Sequence, residues 1–346
     1  MIIVALVLDA VDGSLLEQFT TVDTGPDGPY QSFDKALDIY YLAIAYVATM
    51  RNWTSNAAVR VAQFLFYYRL VGVLAFELTG ERAMLLIFPN TFEFFFIAYS
   101  LIALRWEPTR FSPRFWVATG AGLWIFVKLP QEYWIHIAQR DFTETVADYP
   151  WFGVLCALGL LALAAVAWFV VRPRMPVPDW NWRLAADPLP ETLDEAHERH
   201  AHRLQRGGVL WGELFEKAAL LALMSIIFAE ILPSVEATAV EVGLAVVVIV
   251  AANTAVSMFY ARSRRVHNES FVGLLAFNLA AIYVLSTFFS PAENFPLGTA
   301  LFFAFLITLL LWLYDVYKPV YDVRFQAAKS IRTGTSGSSS PQSTLA

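Results

Sequence analysis

The sequence predicts an all-α polytopic membrane protein with about nine transmembrane helices, its N-terminus outside and its C-terminus in the cytoplasm. Three observations carry that expectation. The 346 residues are 58% hydrophobic and only 16% charged, too apolar for a soluble domain of this size. Apolar stretches of about 18 to 24 residues recur, each long enough to cross a hydrocarbon core about 30 Å thick as a helix. Basic residues are also distributed unevenly between alternate connections.

The predicted spans are 36–53, 57–79, 83–104, 112–129, 150–171, 209–232, 237–260, 270–290 and 295–316. The first has the most charged entrance, with Asp34, Lys35 and Asp38. The second and third are separated only by a short turn around Gly80 and Glu81, which makes them antiparallel neighbours. The third is interrupted by Pro89 and Asn90, and Lys128 lies at the outer end of the fourth. The sixth begins with Glu213, Glu216 and Lys217, where Glu213 and Lys217 form a favourable i, i+4 pair and suggest a self-neutralising helix start. Asn253 and Asn278 are expected to hydrogen-bond between helices.

Orientation follows from the basic residues. One set of connections holds Arg51, Arg105, Arg110, Arg114, six arginines in 172–208, Arg262, Arg264, Arg265 and the basic residues of the tail, 17 in all; the alternate set holds Lys35, Arg82, Lys128 and Arg140. The positive-inside bias puts the first set in the cytoplasm. The expected organisation is an acidic extracytoplasmic segment 1–35, helices 1–5 in 36–171, a cytoplasmic linker 172–208 with one amphipathic helix, helices 6–9 in 209–316, and a largely disordered cytoplasmic tail 317–346. His197, His200 and His202 spread over different faces of that linker helix and read as part of a solvated charged surface rather than a metal cluster. The 19 Arg against 5 Lys suit a GC-rich bacterial genome, and hence a bacterial cytoplasmic membrane.

Composition also narrows the partners. The net charge of −6 and the dispersed basic residues give no footprint for nucleic acid. Cys156 is the sole cysteine, so an intrachain disulfide and a multi-thiolate metal site are excluded. Walker A, dinucleotide-binding and nucleophile-elbow patterns are absent, and no cofactor or metal is expected. The partners expected are the lipid bilayer, a small solute or ion, and a membrane protein partner or a second copy of the chain.

Two constellations stand out. Arg69 lies about eleven residues before the Gly80 turn and Glu93 about twelve after it, so at 1.5 Å rise per residue they reach the same depth near the midplane. A lone charge there costs about 2.5 to 3.5 kcal/mol or more, which predicts an Arg69–Glu93 ion pair supported by Asn90, Tyr67, Tyr68 and Gln63, beside the aromatic wall Phe92, Phe94, Phe95 and Phe96. Such a pair can fix helix register, line a solute path or act catalytically.

The second constellation is Lys128, Glu132, His136 and Arg140, a polar stripe at four-residue spacing beyond the outer end of the fourth span. Pro130 is expected to kink the helix or start a new one, with Leu129 extended. Glu132 and His136 are the weak candidates for catalysis; a metal there would need Asp141 or Glu144 as a further ligand. Otherwise the stripe reads as an interfacial anchor or a site for a solute or lipid headgroup.

The favoured function is a secondary transporter or channel for a small solute or ion, with Arg69, Glu93, Asn90, Tyr68, Lys128 and Arg140 along its path. The alternatives are a membrane enzyme acting on a lipid headgroup at the outer interface and a non-catalytic assembly subunit of a membrane complex. Enzyme activity is the less favoured expectation.

Overall fold

The structure, a computed structural model, describes residues 29–138, 142–183, 211–232, 237–262, 271–289 and 296–334, and within these all regular structure is helical. The helices are α1 (Pro29–Asn52), α2 (Asn56–Thr79), α3 (Ala83–Ile87), α4 (Thr91–Ala103), α5 (Pro113–Leu123), α6 (Leu129–Glu132), α7 (Phe142–Asp148), α8 (Pro150–Val166), α9 (Trp211–Ile231), α10 (Ala239–Arg262), α11 (Phe271–Phe289) and α12 (Leu297–Gly334). Six described helical stretches are long and apolar enough to cross a membrane: Asn56–Thr79, Ala83–Ala103, Pro150–Arg174, Ala239–Val256, Phe271–Phe288 and Leu297–Phe325. The described residues are therefore all-α, and their long apolar helices are those of a membrane protein by length and composition. The other three predicted spans, 36–53, 112–129 and 209–232, are helical as α1, α5 and α9 but are not among the six.

Two compact units divide the chain, one holding residues 1–63 and 186–346 and the other 64–185. In the first, α9 packs on α10 and on α1, and α12 packs on α1, α9 and α11. Its core includes Tyr46, Leu220, Leu221, Met224, Ile227, Ala304, Ile307, Leu310 and Tyr314, all nearly inaccessible. Lipid would not drive these apolar surfaces together, so close packing and interhelical hydrogen bonds fix them. One is a ladder through three helices: Asn253 Nδ2 donates to Asn278 Oδ1 (2.6 Å), and Asn278 Nδ2 donates to Thr308 Oγ1 (2.8 Å). That agrees with the expectation for Asn253 and Asn278. α10 starts with a capping box in which the Thr238 amide donates to Glu241 Oε2 (2.8 Å) and the Glu241 amide donates to Thr238 Oγ1 (3.4 Å).

The tail needs correction. Residues 317–334 continue α12 rather than forming an irregular tail. The extension is held because Arg324 Nη1 donates to the carbonyls of Arg51 (2.7 Å) and Trp53 (3.1 Å), placing a cation at the carbonyl end of α1. Tyr321 donates to Asn56 Oδ1 beside it (3.1 Å).

In the second unit, Gly80 makes the α2–α3 turn with φ +71°, a conformation glycine adopts without a Cβ clash, and its amide donates to the Phe76 carbonyl (2.7 Å). Beyond α5 the chain stays helical through Pro130. Leu129 is helical (φ −57°, ψ −46°), and wide π turns at Trp124–Lys128 and Tyr133–Ile137 flank α6. The Leu129 amide bonds back five residues to Trp124, so the ring of Pro130 is accommodated by widening the helix instead of breaking it. The most apolar window of Pro150–Arg174 has none of its residues buried, which suits a helix lying against lipid.

Replacing Asn278 by Leu should lower the thermal unfolding midpoint in detergent by several degrees, the equivalent of about 1 to 2 kcal/mol. An unchanged midpoint would show that the ladder contributes nothing.

Candidate functional site

Within the second unit the third predicted span is two helices with a break between them. A residue preceding proline is disfavoured in the α region, and Pro89 has no N–H to donate. Accordingly Phe88 (φ −113°, ψ 65°) and Asn90 (φ −73°, ψ 68°) leave the helical conformation, and α4 begins at Thr91. In hydrocarbon, each backbone group freed by a break costs several kcal/mol unless another group satisfies it.

α2 meets that requirement on one side. Tyr68 donates its hydroxyl to the Ile87 carbonyl (3.1 Å), and Arg69 Nη1 donates to the Phe88 carbonyl (3.1 Å). A charged donor of this kind contributes about 1.5 to 3 kcal/mol, and its positive charge suits the carbonyl end of α3. The approach depends on Gly72: a Cβ there would lie 2.0 Å from the Cβ of Phe88. The Tyr68 ring packs on Phe88 and Trp124, with centroids 4.5 and 4.8 Å away.

On the other side, α5 and its continuation supply the partners. The Asn90 amide donates to Glu132 Oε1 (3.2 Å), and Asn90 Nδ2 donates to Glu93 Oε2 (3.0 Å). Lys128 Nζ lies 3.5 Å from Glu132 Oε1, donates to Gln131 Oε1 (3.0 Å), and sits 4.8 Å from the Phe94 ring centroid. Asn90, Glu93, Lys128 and Glu132 are each no more than 6% exposed. Two carboxylates thus lie near the amide end of α4, where the helix dipole favours negative charge. Phe92 and Phe95 are fully buried behind them, and Phe92 stacks edge-on against Phe66.

This arrangement corrects the expected pairing. Arg69 bonds to the broken backbone rather than to Glu93, and an ion pair beside Glu93 joins Lys128 to Glu132. The two constellations that looked separate in the sequence meet at one place, because the helix continues through Pro130 and turns Lys128 and Glu132 inward. Gln63 takes no part in the cluster and bonds elsewhere, to Glu216. The side chains of His136 and Glu144, and the whole of Arg140 and Asp141, lie outside the described residues, as do His197, His200 and His202. Among the described residues no group of three or more His, Cys, Asp or Glu could hold a metal ion.

The cluster is not saturated. Asn90 Oδ1 and Thr91 Oγ1 are buried with no hydrogen-bond partner, although Asn90 and Thr91 are 6% and 1% exposed. The Asn90 amide nitrogen is committed to Glu93, so its oxygen faces away as a pure acceptor. An unpartnered buried acceptor carries a penalty of about 1 to 3 kcal/mol, which a water, a cation or a hydrogen-bond donor on a solute would relieve. The oxygens available at this break are therefore of the kind that bind and release a small polar species.

A second polar centre, in the first unit, escaped the sequence reading. Glu216 accepts from Tyr46 Oη (2.6 Å), Gln63 Nε2 (3.0 Å), Tyr314 Oη (2.7 Å) and Lys318 Nζ (3.0 Å). The predicted Lys217–Glu213 pair is present (3.2 Å), but Lys217 also pairs with Asp315 of α12. The signal was available: spans 1, 2, 6 and 9 all place these residues at ends predicted to share one side of the membrane. This carboxylate is surrounded by donors and binds α1, α2, α9 and α12 together.

Substituting Gly72 by Ala should push α2 away from Phe88 and destabilise the fold by about 1 to 3 kcal/mol, whereas Gly122→Ala, where an added Cβ meets nothing within 4 Å, should be tolerated. Thermal melts of both variants in detergent check this; equal midpoints would remove the close approach from the account. No protein-family model matches the chain, and no curated protein or solved structure matches it.

Proposed function

We propose that the protein moves a small solute or ion across a bacterial cytoplasmic membrane, using the polar break between α3 and α4 as its binding centre, in a nine-span arrangement with the N-terminus outside. The observation that carries this reading is the unsaturated break itself. Buried Asn90 Oδ1 and Thr91 Oγ1 have no protein partner among the described residues, three and two residues from Glu93 at the middle of the span Ala83–Ala103. Membrane proteins tolerate non-helical backbone at depth where it lines a cavity or is buried in protein, and interrupted helices are a recurrent site for solutes and coupling ions. Unmet polar oxygens fit a cavity-lining break better than one packed in protein.

At the Glu216 centre four donors meet one carboxylate, whereas at the break two neighbouring oxygens beside two carboxylates are unmet, and that concentration of open acceptors supports binding over register alone. An enzyme acting on lipid headgroups would need its acid and base at the surface; Lys128 and Glu132 are 5% and 4% exposed and face the break. The reading therefore assigns binding to Asn90, Thr91, Glu93 and Glu132, charge balance to Lys128, and support of the broken backbone to Arg69 and Tyr68.

Flux into proteoliposomes, followed with ion-sensitive dyes and a panel of labelled solutes, tests this. Wild type should conduct at least one of them, and Glu93→Gln or Glu132→Gln should reduce that flux about tenfold or more while the protein still elutes as a single folded species. Background leak in all three proteins would overturn the proposal.

A further inference from the structure

The segment following α8 folds back onto the end of α4. The amides of Asp179 and Trp180 donate to the Arg105 carbonyl (3.0 and 3.5 Å), and the Arg183 amide donates to the Leu104 carbonyl (2.9 Å). Two indoles complete the strap: Trp180 Nε1 donates to the Ala103 carbonyl (3.2 Å), and Trp106 Nε1 donates to the Pro176 carbonyl (2.7 Å). The sequence suggested only a linker here. Its first twelve residues are instead a fixed structure with a chemical consequence for Arg105.

The Arg105 guanidinium is flanked by two indoles, 5.9 Å from the ring centroid of Trp106 and 5.5 Å from that of Trp182. Its Nε is shielded from solvent and has no hydrogen-bond partner. No acceptor among the described residues takes any of its N–H groups. The neighbouring acid is already committed, because Asp179 accepts from Arg110 Nη1 (2.5 Å) and from the Glu107 amide (2.8 Å). Arg183 sits over Trp180 at 5.1 Å and Arg172 over Trp168 at 4.0 Å, so further cations stand nearby on the strap and at its start.

We infer that Arg105, held by Trp106 and Trp182, binds the phosphate of an anionic phospholipid headgroup. A guanidinium flanked by aromatic rings, with no protein acceptor on its donors, is left to bind a pair of oxygens, and arginine binds phosphate in this way. Water-soluble phosphate has the same oxygens. The surroundings select the lipid: Phe169, Val177 and Trp182 are 74%, 82% and 71% exposed, and they follow directly from α8, whose apolar window is unburied. Exposed indoles beside arginines at the end of an apolar helix match the boundary between headgroups and acyl chains. The site is independent of the transport reading and does not use the α3–α4 break.

The test is lipid retention, not flux. The full chain, purified in mild detergent, is exposed to equal amounts of phosphatidylglycerol and phosphatidylcholine, and bound lipid is counted by native mass spectrometry. Wild type should retain phosphatidylglycerol with at least a tenfold preference. Arg105→Gln should lose that preference, Trp182→Ala should weaken it, and Arg114→Gln, an exposed arginine outside the strap, should keep it. If Arg105→Gln does not fold, Arg105→Lys and Trp182→Ala carry the test, since both retain the positive charge and remove either the fork or one covering face. Equal retention of the two lipids, preference unchanged in the Arg105 and Trp182 variants, or complete displacement of phosphatidylglycerol by millimolar inorganic phosphate would overturn the assignment.

Discussion

A proline in the third helix sets the problem that the second unit solves. Pro89 takes Phe88 and Asn90 out of helical geometry, and carbonyls at the end of α3 lose their partners in a setting where water does not replace them. The solution comes from α2, one glycine away: Gly72 permits the backbones to close, and Tyr68 and Arg69 reach the carbonyls of Ile87 and Phe88. From this one repair the polarity of the whole site follows. A cation occupies the carbonyl end of α3, so the carboxylates of Glu93 and Glu132 occupy the amide end of α4, and Lys128 balances them. Removing the break would leave three buried charges without their reason for being there.

The two units handle buried charge differently. At Glu216 four donors from different helices converge on one carboxylate, and a group so fully bound favours a single fixed arrangement. At Asn90 and Thr91 the accounting stays open by two oxygens. The transport proposal rests on that difference in hydrogen-bond inventory rather than on the presence of charge.

Much of the fold was legible in the sequence, because hydropathy and length report helices directly, and the Gly80 turn required α2 and α3 to be neighbours. The site was legible in its membership but not in its pairing. Equal depth of Arg69 and Glu93 suggested that they would bond, yet depth says nothing of azimuth, and the freed Phe88 carbonyl competes for the same guanidinium. Lys128 and Glu132 read as part of an outer-surface stripe because they fall at the outer end of the fourth span; the chain instead stays helical through π turns on both sides of Pro130, and both side chains are buried at the break. The Arg105 strap depends on residues far apart in the chain, for which spacing offers no signal, whereas the Glu216 centre was signalled only by the predicted sidedness of its four spans.

The central claim is that the break opens to a water-borne species. It is tested most directly by cysteine accessibility in proteoliposomes, with Cys156 replaced by Ala and Thr91 by Cys. A small, charged thiol reagent should modify the Thr91 position from the aqueous phase, and modification should slow when the transported solute is present. Protection of that position in every condition, equal to that of a lipid-facing control at Leu158, would contradict the account.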